Sequence, residues 1–154
     1  MKKLLWVEEE ADSSMVEFFI LFESVEYFDL TIAKTATEAK YYLDLDKAKY
    51  DLIIMDIRIP PGSDNFWENE YLKGERSLPK ERLGIAVISD YFSNNVNEEE
   101  KSRWMIFTIE PFWTVKNALE DLSLNWFEEG KNYFEKINYR FPEDFLIEIE
   151  RKIQ

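Results

Sequence analysis

Short, unbroken apolar runs alternate with amphipathic stretches along this chain, and that alternation predicts a parallel sheet covered by helices on both faces. Residues 4–7, Leu-Leu-Trp-Val, are too few for a helix and uniformly apolar, as a strand buried on both faces should be. Asp12, Ser13 and Ser14 then offer N-cap oxygens to a helix whose Val16, Phe19 and Ile20 share one face by their spacing of three and four. Residues 30–33 predict the second strand. Thr35 and Glu38 have capping-box spacing ahead of Ala39, Tyr42 and Leu43, which predicts the second helix. The plainest strand is Leu52-Ile53-Ile54-Met55, which runs directly into Asp56.

From 57 to about 80 the periodicity lapses. Ile59-Pro60-Pro61-Gly62-Ser63-Asp64-Asn65 is turn chemistry, and the polar stretch to Lys80 carries only scattered aromatics such as Phe66, Trp67 and Tyr71. A loop of this length in a compact domain is either functional or evidence of a wrong assignment. Two readings then compete. Residues 85–89 can be the fourth strand. Alternatively, residues 79–94 form a helix with Leu83, Ala86, Val87 and Tyr91 inward, and residues 104–109 are the fourth strand. Further on, Thr114 can cap a helix with Val115, Ala118, Leu119 and Leu122 facing in, and Gly130 can end the connection. Tyr133-Phe134 fits a short fifth strand closed by Lys136, and Pro142 opens a last helix bearing Phe145, Ile149 and Ile153. Only the second reading accounts for the whole chain in five strand-helix units. It predicts a single α/β domain over 1–154, a doubly wound five-stranded parallel sheet with an enlarged loop at about 57–80.

Composition narrows the chemistry. A length of 154 residues suits one domain. Lys plus Arg total 19 against 32 Asp plus Glu, and the resulting charge of −13 repels a phosphate backbone, so nucleic acid is not an expected partner. No apolar stretch approaches the roughly 18 residues that span a bilayer, so no membrane association is expected. The basic-then-apolar start meets acids too soon for a signal peptide, which makes the cytoplasm the expected location. With no Cys and no His, thiolate nucleophiles, imidazole bases and zinc sites built on them are excluded. Carboxylate, hydroxyl and Lys chemistry remains, for which a hard, oxygen-binding cation is the natural metal.

Ligands of open α/β sheets gather at the carboxyl ends of the strands. The residues just past the predicted strands are Glu8-Glu9-Glu10, Asp56, Thr108 and Lys136, so acidic side chains, a hydroxyl and an ammonium are expected in one crevice. A Mg²⁺ ion among the acids would allow a carboxylate to attack a phosphoryl group, with Lys and Thr stabilising the transferred oxygens.

This ordered set resembles the receiver domain of two-component response regulators, a flavodoxin-like fold. Leu4-Leu5-Trp6-Val7-Glu8-Glu9-Glu10 is similar to the family's first strand and acidic pair, with Glu8 and Glu9 where two aspartates are usual. Leu52-Ile53-Ile54-Met55-Asp56 followed by Ile59-Pro60-Pro61-Gly62 resembles the phosphoacceptor strand and its loop. Thr108 falls at the switch hydroxyl, and residues 130–136 with 141–146 resemble the fifth strand and last helix. The resemblance implies that Asp56 accepts a phosphoryl group from a histidine kinase or phosphotransfer protein, with Thr108 and Lys136 assisting. It implies Mg²⁺ bound by Glu9 and Asp56 and oriented by Glu8, and Tyr133 as an aromatic switch that rotates inward. The activity is then at most Mg²⁺-dependent self-phosphorylation and autodephosphorylation of a stand-alone phosphoprotein in a phosphorelay, not metabolism, with output through a downstream protein target. Three departures stand against the matches: glutamates at both acidic positions, Ile109 after Thr108 where a small residue is usual, and Ile137 after Lys136 where Pro is usual.

Plainer readings compete with each of these. Asp56 can be a turn acid, Glu8 to Glu10 a solvated run near a helix start, Thr108 a strand residue and Lys136 a surface lysine. Tyr133, Phe66, Trp67, Tyr71 and Trp113 suit core packing or, for the last four, a partner-binding surface. A pseudo-receiver, an interaction module that is not phosphorylated, is the main alternative. An unrelated Mg²⁺-dependent phosphohydrolase ordinarily needs a second acid two residues after its nucleophile, and that position is Arg58. Were residues 85–89 the strand, Ser89 and Glu110 would inherit the positions of Thr108 and Lys136.

Overall fold

The computed structural model describes residues 1–45, 49–72, 82–94 and 97–154. Strands β1 (Lys2–Val7), β2 (Phe28–Ala33), β3 (Leu52–Met55), β4 (Trp104–Thr108) and β5 (Tyr133–Glu135) form one parallel sheet in the order β2-β1-β3-β4-β5. This is the doubly wound order, whose direction reverses at β1 and β3. Helices α1 (Val16–Glu23) and α6 (Pro142–Ile153) cover one face. Helices α2 (Ala36–Asp44), α3 (Leu83–Asn94) and α5 (Phe112–Asp121) cover the other, and a short α4 (Glu98–Lys101) leads into β4.

Strand alternation divides the core. Leu5, Val7, Ile53 and Met55 pack with α2, α3 and α5, while Leu4, Trp6, Leu52 and Ile54 pack with α1 and α6. The second layer is rich in rings, with Phe107 stacked on Phe145 at 3.8 Å and Trp6 against Phe19 at 4.3 Å. Burial on both faces is why β1, β3 and β4 read as continuous apolar runs rather than alternating ones.

The helix at Leu83–Asn94 and the strand at Trp104–Thr108 select the five-unit reading and exclude a strand at 85–89. The confusion has a physical source: Leu83, Ile85, Ala86, Val87 and Ile88 are all buried, so the first turns of α3 lack the polar stripe of a surface helix. Positions 79–81, expected in that helix, lie outside the described residues, as does 73–80 of the expected loop.

Several local expectations are corrected. β2 begins at Phe28, two residues earlier than expected, and β4 ends at Thr108 rather than Ile109. Helix α1 is preceded by Met15 at its N-cap, without a side-chain cap from Asp12, Ser13 or Ser14; Ser13 instead donates to the Glu10 carboxylate. Its buried face is Phe18, Phe19 and Phe22, while Val16 and Ile20 are exposed. Thr114 is not the cap of α5: Pro111 holds that position, and the Thr114 hydroxyl donates back to its carbonyl at 2.7 Å. The Thr35 cap is as expected, accepting the Glu38 N–H at 3.0 Å.

The segment after β3 docks on the start of α2. The carbonyls of Pro60 and Pro61 accept the N–H groups of Ala36 and Thr37 at 2.9 and 3.0 Å, satisfying donors that a helix start leaves free. Gly62 makes the turn at φ +84°, where a Cβ would also meet the Thr35 and Thr37 hydroxyls below 3.0 Å. Beyond it, Trp67 and Tyr71 are fully buried and Phe66 is half-buried against the same core, with a π-helical turn at Glu68–Leu72. Three of the four loop and rim aromatics are therefore packing residues; Trp113 is 80% exposed.

Candidate functional site

The backbone brings the two acids together. The Glu8 N–H donates to the Ala33 carbonyl at 2.8 Å and the Asp56 N–H to the Val7 carbonyl at 3.0 Å, so each residue continues its strand's ladder by one step past the sheet. β5 pairs with β4 through Thr108 and Glu135, which brings Lys136 to the same end of the sheet. The Lys136 ammonium lies 2.5 Å from Glu8 Oε1 and 3.0 Å from Asp56 Oδ2. The remaining oxygens are taken by main-chain donors: Glu8 Oε2 accepts the Glu10 N–H at 3.2 Å, and Asp56 Oδ1 the Arg58 N–H at 3.3 Å. Glu8 is wholly buried and Asp56 is 3% exposed.

Burial, reinforced by the neighbouring charge of Asp56 and opposed by Lys136, pushes the Glu8 carboxyl up to about 8. For Lys136 burial acts to lower the pKa, but the carboxylates of Asp56 and Glu8 outweigh it and raise the pKa above the ordinary lysine value.

Thr108 is buried at the end of β4, and its Oγ1 accepts the Glu110 N–H at 3.4 Å. Tyr133 is fully buried with its ring edge-on to Phe112, and its hydroxyl donates to the Glu110 carbonyl at 2.7 Å; burial raises its pKa. Glu9 is exposed. Of the expected site, Glu8, Asp56 and Lys136 are in direct contact. Thr108 and Tyr133 meet instead at the Glu110 turn. Among the described residues no three acids stand together as a metal-holding group. In this arrangement the two buried carboxylates are already shared by an ammonium and the third acid faces solvent, so the donor set fits a bridging ammonium better than Mg²⁺, which would have to share or displace it.

Sequence reasoning missed two features. Arg58 Nε lies 2.6 Å from Glu110 Oε1, tying the turn after β3 to the turn after β4. The signal was available, because both residues stand two places past the strand-end residues Asp56 and Thr108 with opposite charges. The second is Gly84, whose N–H donates to the Ile57 carbonyl at 2.9 Å. A Cβ there would sit 2.1 Å from the Asp56 carbonyl oxygen, so only glycine lets α3 press against the acceptor turn.

No family model and no curated protein matches the sequence. Solved structures do match in shape. A CheY-like response regulator receiver domain protein from Methanospirillum hungatei has a TM-score of 0.61 at 15% identity, over 99% of this chain and 94% of that one. The receiver domain of Francisella response regulator 1452 gives 0.60 at 16%, over 99% and 97%. The chain has the receiver fold. A Mn²⁺-bound form of response regulator Rcp1 shares that fold with a TM-score of 0.56 at 18% identity, over 97% and 89%. Within the receiver fold, Glu8, Asp56, Thr108 and Lys136 all lie at the carboxyl end of the sheet, where such sheets carry their ligands. None of the helices among the described residues is long and apolar enough to cross a membrane.

Proposed function

We propose that this chain is a signalling module of the receiver fold that works through protein contacts in its unmodified state. The observation supporting this reading is the Glu8–Lys136–Asp56 bridge, in which every oxygen of both acids already has a donor from the chain. The contact surface is the apolar rim beside that bridge: Ile109 and Trp113 around the start of α5, and Ile137 and Phe141 between β5 and α6, all exposed. Large exposed aromatics such as Trp113 suit the centre of an interface. A partner with an apolar face flanked by basic residues complements a chain of charge −13.

A second reading is favoured by the 3.0 Å contact between Lys136 and Asp56. In it Asp56 accepts a phosphoryl group from the phosphohistidine of a histidine kinase or phosphotransfer protein, and Lys136 and Thr108 stabilise the transferred oxygens. Tyr133, bonded to the turn after Thr108, relays the change to a downstream protein. This reading requires Glu9 to turn inward and join Asp56 in holding Mg²⁺, with Lys136 releasing Glu8. Incubation with Mg²⁺ and acetyl phosphate, followed by intact-mass measurement, separates the two. The first reading expects no adduct of about 80 Da. An adduct on the chain that disappears in Asp56→Ala replaces it with the second.

A further inference from the structure

We propose that Lys136 is the resident cation of this site: its ammonium holds the place between Glu8 and Asp56 that a divalent ion would otherwise take, so the acid pair needs no metal. The inference rests on the geometry of the bridge and on the first reading of function, since the second requires Mg²⁺ at Asp56.

Three observations carry it. First, the ammonium contacts one oxygen of each acid, at 2.5 and 3.0 Å, as an ion bridging two carboxylates would. Second, the other oxygen of each acid is occupied by a main-chain N–H, from Glu10 and from Arg58. Each carboxylate oxygen thus already has a donor, and an incoming ion would have to share it with, or displace, Lys136 or a backbone N–H. Third, the Lys136 side chain is only 13% exposed, so displacement would strand a desolvated ammonium away from its counter-charges. Mg²⁺ adds a steric demand, because it keeps part of its water shell and these side chains leave little solvent access. Glu9, the one adjacent acid free to move, supplies a single exposed ligand.

The test uses the full chain, uniformly ¹⁵N-labelled and freed of metal by chelation. Mn²⁺, a paramagnetic ion with the same taste for carboxylate oxygen as Mg²⁺, is titrated while the amide signals of Glu8, Asp56 and Arg58 are followed. The wild-type chain is expected to keep these signals through excess Mn²⁺. In Lys136→Met the same signals are expected to broaden at substoichiometric Mn²⁺, and Mg²⁺ to raise the melting temperature of that variant but not of the wild type. Selective, saturable broadening in the wild type that Asp56→Asn abolishes would overturn the proposal. So would a folded Lys136→Met that remains indifferent to Mn²⁺. Should that variant not fold, the wild-type titration decides alone. In the separate mass experiment, a phosphoryl adduct that forms without Mg²⁺ would replace the proposed function and leave this result standing, whereas an adduct that requires Mg²⁺ would overturn both.

Discussion

Two ion-paired groups lie at the same end of the sheet, and they differ in their surroundings rather than in their distances. Lys136 meets Glu8 and Asp56 at 2.5 and 3.0 Å, and Arg58 meets Glu110 at 2.6 Å. The lysine side chain is 13% exposed and its acids 0% and 4%, whereas the Arg58 side chain is 49% exposed. Water can solvate Arg58 with or without its partner, but nothing except Glu8 and Asp56 can compensate Lys136. Separation alone is thus a poor guide to what a pair contributes; the alternative open to each charge when its partner is removed decides it.

Removing the lysine should break the comparison most severely. Lys136→Met is expected to lose about 3–5 kcal/mol in denaturant unfolding, because the buried acid pair is left without its counter-charge. Gly84→Ala attacks the same bridge from behind: its methyl group collides with the Asp56 carbonyl, and a loss of roughly 1–3 kcal/mol is expected from the forced shift of α3.

The raised pKa of Glu8 yields a pH dependence of definite sign. In the folded chain this carboxyl titrates near 8, against an ordinary value of 4.5, so the folded state holds the proton more tightly than the unfolded one. Its stabilising contribution is complete below the ordinary value and is lost as pH rises through about 8. Glu8→Gln mimics the protonated form. In metal-free buffer it should match the wild type at the acid end and become the more stable of the two as pH rises, with the gap levelling off above about 8. A gap that stays constant with pH would show that Glu8 does not titrate in this range. The full extent of the gap, reached above about 8, should be of the same order as the loss in Lys136→Met.

The rim pair should respond weakly. A double-mutant cycle of Arg58→Ala and Glu110→Gln is expected to give a coupling of at most about 1 kcal/mol, reduced further by salt. Smallest of all is Trp113→Ala, expected to change stability by no more than about 0.5 kcal/mol, because a side chain 80% exposed leaves no cavity behind. A large loss there would mean that the ring packs within the chain instead of awaiting a partner.

Much of the fold was legible because strands buried on two faces cannot hide their composition. β3 was bounded correctly from its apolar run alone, and Thr35 was recognisable as a cap because a single hydroxyl at fixed spacing performs that task. Helix α1 was misread at its start and on its face, since phenylalanines on adjoining positions leave several inward orientations open until α6 and β4 supply the opposing surface. At the site, the juxtaposition of Asp56 and Lys136, 80 residues apart, followed from strand order. Which glutamate turns inward did not follow, because Glu8 and Glu9 are chemically identical and differ only by one step along the strand.

Period, polarity and charge are properties of neighbouring residues, so the sequence alone sufficed for the strand-helix alternation, the doubly wound sheet, the acidic surface and the absence of thiol and imidazole chemistry. Burial is a property of the assembled layers. It determined that Glu8 sits inside and Glu9 outside, and that Trp67 belongs to the core while Trp113 faces solvent. It also determined that Lys136 stands between the two acids, because a charge can be matched only by groups that the folded chain brings within a few ångströms of it.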